Sequence, residues 1–282
     1  MRLRDYAMLY RGRLQGTSST PGLDADMLTA FALGMSREDL LLMRDALPSD
    51  ADMRRLEALI ARREKGEPVA YIVGEKAFRK HVFFVTPDVL TPRPDSETLI
   101  DAALQRLSPL VPLRILDAGT GSGCLLLSLL TELPNAVGVG LDISLRAIRV
   151  AERNARRVGV SSRRAAWICG NWCDALADES FDVVISNPPY VAEKDRATLA
   201  PDLGFEPQGA LFAGEDGLDA YEILAPQLCR VLRPEGVCVL EIGQGQEIAV
   251  AAIADDAGLR LASQEKDLAG VIRVLVFEKK FS

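Results

Sequence analysis

Histidine and closely paired cysteines are nearly missing from this chain. His81 is the only histidine among 282 residues, and the five cysteines form no CxxC pair. One histidine excludes Ser-His-Asp and Cys-His catalysis unless His81 itself takes part; we expect it to be structural, because it lies in an aromatic-rich segment away from the other motifs. The cysteine spacing disfavours a disulfide framework or a zinc site. The composition therefore predicts no bound metal and a reducing, cytoplasmic location.

Long apolar runs and an excess of basic charge are also missing. No stretch approaches the roughly 20 apolar residues that span a membrane, and the first residues, Met1–Asp5, lack the apolar segment of a secretory signal. Lys and Arg number 33 against 40 Asp and Glu, a net charge of −7. Proteins that bind long nucleic acids usually carry a basic surface. We therefore expect no membrane contact and a protein or small-molecule substrate.

The first part of the chain has helical patterns, and the length allows about two domains. Ser36 is a predicted helix N-cap with Asp39 in the capping-box position. An amphipathic helix is predicted from Asp50 to Lys65, where Gly66 ends it. Residues 1–74 are therefore predicted to form a small helical domain.

A change of pattern follows. Val69–Gly74 and Lys80–Val85 are rich in β-branched and aromatic residues with turn signals between them, which predicts a β-hairpin joining two domains. The domain boundaries expected from this change are a hairpin linker at residues 75–93 and a second domain at 94–282.

The second domain alternates apolar, strand-like runs with helical patterns. This alternation predicts an α/β fold with a mainly parallel, doubly wound sheet. The last two runs flank a short turn, so an antiparallel hairpin should close the sheet, as in the Rossmann-like class I methyltransferases. The predicted strands are Arg114–Ala118, Val137–Ile143, Ala166–Cys169, Asp182–Ser186, Val237–Ile242, Leu259–Glu265 and Val271–Lys279.

A glycine-rich loop follows the first of these strands. Glycines at 119, 121 and 123 allow a ligand close to the backbone, and a helix begins directly after them. The dinucleotide fingerprint would require glycine where the chain has Cys124. Asp142 ends the next strand, where a carboxylate can bind both ribose hydroxyls, and Trp172 follows the third strand and could stack on a base. The ordered set predicts a site for an adenosine-bearing cofactor.

Asn187-Pro188-Pro189-Tyr190 lies at the carboxyl end of a buried strand, where ligands bind in open α/β sheets. An Asn held in a stiff Pro-Pro turn offers fixed oxygen acceptors, and the Tyr offers a flat wall. These groups suit a planar –NH2 group. The tetrapeptide alone does not distinguish an amide from the exocyclic amine of a base as its ligand. The alternative to a binding site is a plain turn that ends the strand.

Further motifs occur in a fixed order along nearly the whole chain, and with them it resembles the release-factor glutamine methyltransferases (the HemK/PrmC-type family). Two departures are visible: Ser96 replaces the usual Thr, and Asn171 replaces an acidic residue that often precedes the tryptophan. The motifs are Gly66–Gly74, Thr91–Glu97, Leu116–Gly123, Asp142–Ser144, Ser186–Tyr190, Glu206-Pro207, Asp216–Leu218, Glu241–Gly243 and Lys266–Gly270.

The resemblance implies an enzyme that uses S-adenosylmethionine, releases S-adenosylhomocysteine and needs no metal. Its implied acceptor is the N5 amide nitrogen of the glutamine in the Gly-Gly-Gln motif of class I peptide chain release factors, and a monomer is expected. Asn187, Pro188, Pro189 and Tyr190 are implied to hold the glutamine and to catalyse the transfer, and the helical domain of residues 1–74 is implied to recognise the substrate. The implied cofactor contacts are Gly119, Thr120, Gly121, Ser122, Gly123, Asp142, Trp172 and Asn187.

Three alternatives accompany this prediction. One is a glutamine methyltransferase that acts on a ribosomal protein, another is an N6-adenine-type methyltransferase of nucleic acids, and the third is a cofactor-binding protein without catalysis. A stripe of arginines raises a separate question, because it is either a solvated helix face or a docking surface for a macromolecule. The stripe comprises Arg146, Arg149, Arg153, Arg156 and Arg157, followed by Arg163 and Arg164.

Overall fold

The computed structural model describes residues 1–280, whose contacts divide into two compact units. The first unit comprises residues 1–75 together with 200–205, and the second comprises 76–199 and the chain from 206 onward. The predicted division into 1–74, 75–93 and 94–282 stays a prediction. Among residues 1–280, no helix has both the length and the apolar character needed to cross a membrane.

The first unit is helical because apolar residues recur at helical spacing and serines cap the helices. The Ser36 hydroxyl accepts a hydrogen bond from the Asp39 N–H at 3.0 Å, which confirms the predicted cap, and Ser49 caps the next helix through Asp52. Fully buried leucines such as Leu28 and Leu56 form its core. Its helices are α1 (Leu3–Leu14), α2 (Pro21–Leu33), α3 (Arg37–Leu42), α4 (Asp50–Glu64) and α5 (Val69–Val73).

The predicted strand at Val69–Gly74 is wrong. Residues Val69–Val73 form α5, and Gly74 ends this helix in the left-handed conformation at φ 79°. Ile72 joins the core that α1, α2 and α4 share, so burial against helices overrides the β propensity of these residues. The hairpin lies a few residues later, in β1 (Glu75–Phe78) and β2 (His81–Phe84).

The second unit contains a seven-stranded sheet with the order β5-β4-β3-β6-β7-β9-β8. The pairs among the first five strands are parallel, and β9 pairs antiparallel with both β7 and β8, which confirms the predicted sheet and its terminal hairpin. The strands are β3 (Arg114–Ala118), β4 (Val137–Asp142), β5 (Ala165–Cys169), β6 (Phe181–Ser186), β7 (Leu232–Glu241), β8 (Leu259–Lys266) and β9 (Ile272–Lys279).

Helices pack against this sheet, and the carboxyl ends of its central strands are left for ligands. Leu125 to Leu130 of α7 are all buried, so this helix lies in the core between its neighbours. Because β4 and β6 flank β3 on opposite sides, the chain reverses direction across the sheet at β3, and this is where α/β folds bind ligands. The helices are α6 (Glu97–Leu104), α7 (Cys124–Glu132), α8 (Leu145–Arg157), α9 (Asp219–Val231) and α10 (Glu247–Asp256).

Candidate functional site

A cavity of about 410 Å³ opens at the carboxyl ends of the central strands. The predicted glycine loop after β3 and Asn187 after β6 both line it. The Ser186 hydroxyl donates a 2.6 Å hydrogen bond to the Ala118 carbonyl, which ties the ends of these two strands together. Predicted site residues in its lining are Gly119, Thr120, Gly121, Ser122, Asp142, Trp172, Asn187 and Pro189.

The glycine loop adopts a backbone that only glycine takes easily. Gly119, Gly121 and Gly123 have φ values of 78°, 52° and 78°, all in the left-handed region. The N–H groups of Gly119 and Thr120 both donate to the Leu141 carbonyl at 2.8 Å, so the loop is fastened to the end of β4. The loop therefore has a single conformation that places the backbone of Gly119 to Ser122 against the cavity.

Gly123 has a packing role instead of lining the cavity. It is the N-cap of α7, and a Cβ atom there would lie 3.1 Å from the Ala151 Cβ and 3.2 Å from the Trp167 ring. Its lack of a side chain lets α7 approach α8 and β5 closely.

Asp142 is the acidic residue at the end of β4. Its two carboxylate oxygens accept hydrogen bonds from the Gly121 N–H at 2.9 Å and the Ser144 N–H at 2.8 Å. Burial raises the pKa of Asp142, and the two backbone N–H groups oppose that rise. A carboxylate oxygen can accept more than one hydrogen bond, so this fixed carboxylate can still receive hydroxyl groups from a ligand.

A second carboxylate, Asp117, lies beneath the glycine loop. Its Oδ2 accepts a 2.7 Å hydrogen bond from the Thr120 hydroxyl, whereas Oδ1 is buried and has no hydrogen-bond partner within residues 1–280. Burial raises the pKa of Asp117 to about 7. Asp117 does not line the cavity, and its visible role is to hold the glycine loop through Thr120.

Trp172 borders the same cavity with a strained backbone. Its φ is 43°, an uncommon value for a residue with a side chain, and its ring lies 3.7 Å from where a Cβ of Gly119 would be. The neighbouring Asn171 also lines the cavity and donates a 3.2 Å hydrogen bond to Asp174. The Trp172 ring therefore lies beside the glycine loop, where it can face a planar group.

The Asn187–Tyr190 tetrapeptide is held at both ends. The Asn187 amide nitrogen Nδ2 donates to the Ser96 hydroxyl oxygen at 3.2 Å. The Tyr190 hydroxyl donates to Oε1 of Glu241 at 3.2 Å. Burial raises the pKa of Tyr190, and the charge of Glu241 adds to the rise. Because Nδ2 points to Ser96, the Asn187 oxygen is left to accept hydrogen bonds from a ligand.

The backbone of Tyr190 is held as well. The Gln246 side-chain amide donates to the Tyr190 carbonyl at 3.1 Å and the Gly217 carbonyl at 3.2 Å, and its oxygen accepts from the Gly243 N–H at 2.9 Å. Asp216–Leu218 and Glu241–Gly243, two motifs without a predicted role, therefore meet at Tyr190. Pro188 and Tyr190 do not line the cavity itself.

Sequence reasoning missed a second wall of the cavity, in which Arg93 forms a 2.7 Å ion pair with the buried Glu206. It also missed Asn154. The side-chain amide nitrogen of Asn154 donates hydrogen bonds to the carbonyls of Ser122 and Phe84, and its oxygen accepts one from the Phe84 N–H. The Thr91–Glu97 and Glu206-Pro207 motifs were the signal for this wall. Its lining residues are Asp88, Val89, Leu90, Thr91, Pro92, Arg93, Ser96, Pro207, Gly209 and Ala210.

His81 lies on β2 with a 3.0 Å contact to the Thr131 hydroxyl, and it does not line the cavity. Within the described residues there is no group of three or more side chains that could hold a metal ion.

Comparison with known proteins places this architecture in a family. A methyltransferase domain family matches residues 111–268, more than half of the chain. The release factor glutamine methyltransferase of Rhodospirillum rubrum is 44% identical over 261 residues, which cover 92% of this chain and 79% of that protein. The chain belongs to the release factor glutamine methyltransferase family.

Other matches agree with this membership. Residues 9–74 match the PrmC N-terminal domain. The release factor glutamine methyltransferase of Caulobacter vibrioides is 38% identical over 257 residues, covering 91% of this chain and 89% of that protein. A methyltransferase structure from Pyrococcus furiosus superposes with a TM-score of 0.54 at 17% identity, over 80% of this chain and 98% of that one. The second unit of this family member therefore has the class I methyltransferase fold.

Proposed function

We propose that this enzyme transfers a methyl group from S-adenosylmethionine to the N5 amide nitrogen of the glutamine in the Gly-Gly-Gln motif of class I peptide chain release factors. The observation that carries the proposal is the orientation of Asn187. Its amide nitrogen is engaged by Ser96, so its oxygen is available to an –NH2 group at the cavity. The names of the relatives select a glutamine amide as that group.

The residues around the cavity fit S-adenosylmethionine. The left-handed glycines leave room beside the backbone of Gly119 and Gly121, and Asp142 presents a fixed carboxylate for ribose hydroxyls. Trp172 lines the cavity and offers a flat face. When bound, S-adenosylmethionine supplies a methyl group on a positively charged sulfur.

The protein's own contribution is to position and polarise the acceptor amide. An amide nitrogen is a poor nucleophile because its lone pair is delocalised into the carbonyl. We infer that Asn187 Oδ1 and the Pro188 carbonyl each accept one N–H of the substrate amide, while Tyr190 packs against the amide plane. Positive charge grows on this nitrogen as the nitrogen–methyl bond forms and the methyl–sulfur bond breaks, so both hydrogen bonds strengthen in the transition state and accelerate the reaction. The methylated nitrogen then loses one proton to solvent, which gives the neutral N-methyl amide. Fixed orientation supplies much of the remaining acceleration.

The proposal also includes the cellular location, the oligomeric state and the class of acceptor. A cytoplasmic location and a monomeric state stay predictions; the first is supported by the absence of closely paired cysteines in the sequence. The net charge of −7 supports a protein acceptor over a nucleic acid.

The acceptor can be identified directly. The enzyme is incubated with S-adenosylmethionine labelled on its methyl group and with purified release factors, ribosomal proteins or DNA, and the labelled residue is mapped by mass spectrometry. Label on the Gly-Gly-Gln glutamine of a release factor supports the proposal. Label only on a ribosomal-protein glutamine, or only on adenine, contradicts it.

The role of Asn187 is tested by Asn187→Ala. We expect turnover at saturating cofactor to fall at least about 100-fold, because the variant lacks an acceptor that strengthens in the transition state. Asn135→Ala, which alters an exposed amide bonded to the Pro109 carbonyl, serves as the control and should keep normal turnover. An Asn187→Ala enzyme with near-normal turnover would rule out the assignment.

A further inference from the structure

Glu241 is a buried carboxylate to which the proposed chemistry gives no role. It ends β7, and its side chain is 1% exposed. A carboxylate so deeply buried is expensive unless it has polar partners. Oε1 of Glu241 accepts from Tyr190, at one end of the Asn187–Tyr190 tetrapeptide, whereas Oε2 has no hydrogen-bond partner within residues 1–280.

The tyrosine end contacts Glu241 directly. The Tyr190 hydroxyl donates to Oε1 of Glu241 at 3.2 Å. The Gln246 amide holds the Tyr190 carbonyl at 3.1 Å, so the hydroxyl and the main chain of this residue are both restrained. The ring that would pack against the acceptor amide therefore has little freedom to turn.

The asparagine end is held by Ser96, a residue that also lowers the pKa of Glu241. The Asn187 Nδ2 can only donate hydrogen bonds, so at 3.2 Å the Ser96 oxygen must be the acceptor. The single Ser96 hydroxyl hydrogen is then left for another acceptor. The buried Oε2 atom of Glu241 has no hydrogen-bond partner within residues 1–280, and the Ser96 hydroxyl favours the charged form of Glu241. In the alternative arrangement, Ser96 would donate to the Asn187 oxygen and the amide would be turned over. A charged Glu241 thus favours the orientation that leaves Asn187 Oδ1 for the substrate.

We propose that Glu241 is a positioning residue that holds both ends of the tetrapeptide, accepting from Tyr190 directly and orienting the Asn187 amide through Ser96. The proposal rests on the proposed function, since it concerns the same acceptor site. Glu241 does not touch the reacting atoms, and its effect is transmitted by two hydroxyl groups.

The surroundings of Glu241 make its charge sensitive to pH near neutrality. Burial raises its pKa to about 7, while the hydroxyl groups of Ser96 and Tyr190 and the charge of Arg273 oppose the rise, and Asp95 adds to it. Tyr221 donates to the Glu241 backbone carbonyl at 2.9 Å, and Cys124 is the other titratable group that senses this carboxylate. Turnover should therefore increase as the pH rises through about 7 and Glu241 loses its proton.

Substitution of Glu241 gives the first test. Glu241→Gln should lower the turnover number by roughly 10- to 100-fold, and the affinity for S-adenosylhomocysteine, measured by calorimetry, should change less than about threefold because Glu241 does not line the cavity. The rise of turnover through neutral pH should disappear. Glu235→Gln removes an exposed carboxylate from the same strand and should behave as wild type in all three measurements.

Substitutions at two further positions, Ser96 and Tyr190, test how the effect of Glu241 is transmitted. Ser96→Ala should reduce turnover, whereas Ser96→Thr should restore it because the hydroxyl is kept. Adding Tyr190→Phe to Glu241→Gln should cost less than the product of the two separate losses, because Glu241→Gln weakens the hydrogen bond that Tyr190→Phe removes. Near-normal turnover of Glu241→Gln, fully multiplicative losses in the double variant, or equal loss in Ser96→Thr and Ser96→Ala would each overturn the proposal.

A measurement on the wild-type enzyme tests the same proposal if the Glu241 variants do not fold. In ¹³C and ¹⁵N NMR spectra, the Glu241 carboxyl and the Asn187 side-chain amide should shift with one common midpoint near pH 7, and an amide signal that stays constant through the Glu241 titration would contradict the coupling. No acceptor is needed here. A failed acceptor assay would therefore reject the proposed function while this titration still decides the role of Glu241.

Discussion

At the scale of single residues, the site depends on atoms that restrain the tetrapeptide. Gly217 shows this most clearly. Its φ is 77°, and a Cβ atom there would overlap the Tyr190 carbonyl oxygen and come within 3.0 Å of the Gln246 amide nitrogen. Both the backbone conformation and the close approach require glycine. The Asp216–Leu218 motif therefore acts on Tyr190, although it lies 26 residues or more further along the sequence.

Gly217→Ala should reduce both stability and turnover. We expect a loss of roughly 2–5 kcal/mol in the free energy of unfolding, from left-handed strain together with steric overlap. Gly245→Ala separates these two causes, because Gly245 has a φ of 82° but open space around its missing Cβ. That variant should lose about 1–2 kcal/mol and keep its turnover. Urea denaturation and a methyl-transfer assay measure both effects, and equal behaviour of the two variants would exclude the overlap as a cause.

At the scale of secondary-structure elements, the arginine stripe divides into residues with different partners. Arg153 of α8 stacks on Phe84 with its guanidinium carbon 3.4 Å from the ring centre. Arg164 lies beyond the helix and donates to the carbonyls of Leu130 and Leu133 at 2.7 Å and to that of Ala136 at 3.0 Å. These are carbonyls at and after the end of α7, which the helix itself leaves without donors. Arg164 is therefore a helix-capping residue, while a docking role for the rest of the stripe stays a prediction.

Arg164→Ala should destabilise the second unit. The variant leaves three carbonyls of a core helix region without their charged donor, and we expect a loss of roughly 1–3 kcal/mol. Its neighbour Arg163 is exposed, so Arg163→Ala is a control with the same loss of charge. Thermal unfolding of the two variants provides the comparison. If both variants unfold at the same temperature, Arg164 does not stabilise the end of α7.

At the scale of the whole molecule, buried carboxyls determine how stability varies with pH. Burial raises the pKa of Asp117 and of Glu241 to about 7, from usual values of 3.8 and 4.5. In this pH interval the folded protein binds more protons than the unfolded chain, so the free energy of unfolding falls as the pH rises. The stability that each group contributes is fully present below its usual pKa and is lost as the pH passes about 7.

Glu241→Gln should therefore be more stable than wild type at pH 8. The substitution removes a buried charge that costs up to about 3 kcal/mol there, whereas at pH 4.5 or below the two proteins should have nearly equal stability from this cause. Urea denaturation at both pH values gives the two differences. A constant difference at both pH values would show that Glu241 does not titrate in this interval. Higher stability with lower turnover is the usual compromise at a functional site.

The sequence by itself determined the sheet, the helix caps and the location of the cavity. Apolar runs are long enough to be buried whatever surrounds them, serine caps act within four residues, and parallel strands bring Gly119 to Ser122, Asp142 and Asn187 to one edge. Only the tertiary structure decided that Val69–Val73 is helical, because neighbouring helices offer the burial that a strand would lack. It also decided which groups hold Tyr190 and Asn187. Ser96, Glu241 and Gln246 lie 91, 51 and 56 residues from their partners, and a contact at such separation follows from folding and leaves no local pattern in the sequence.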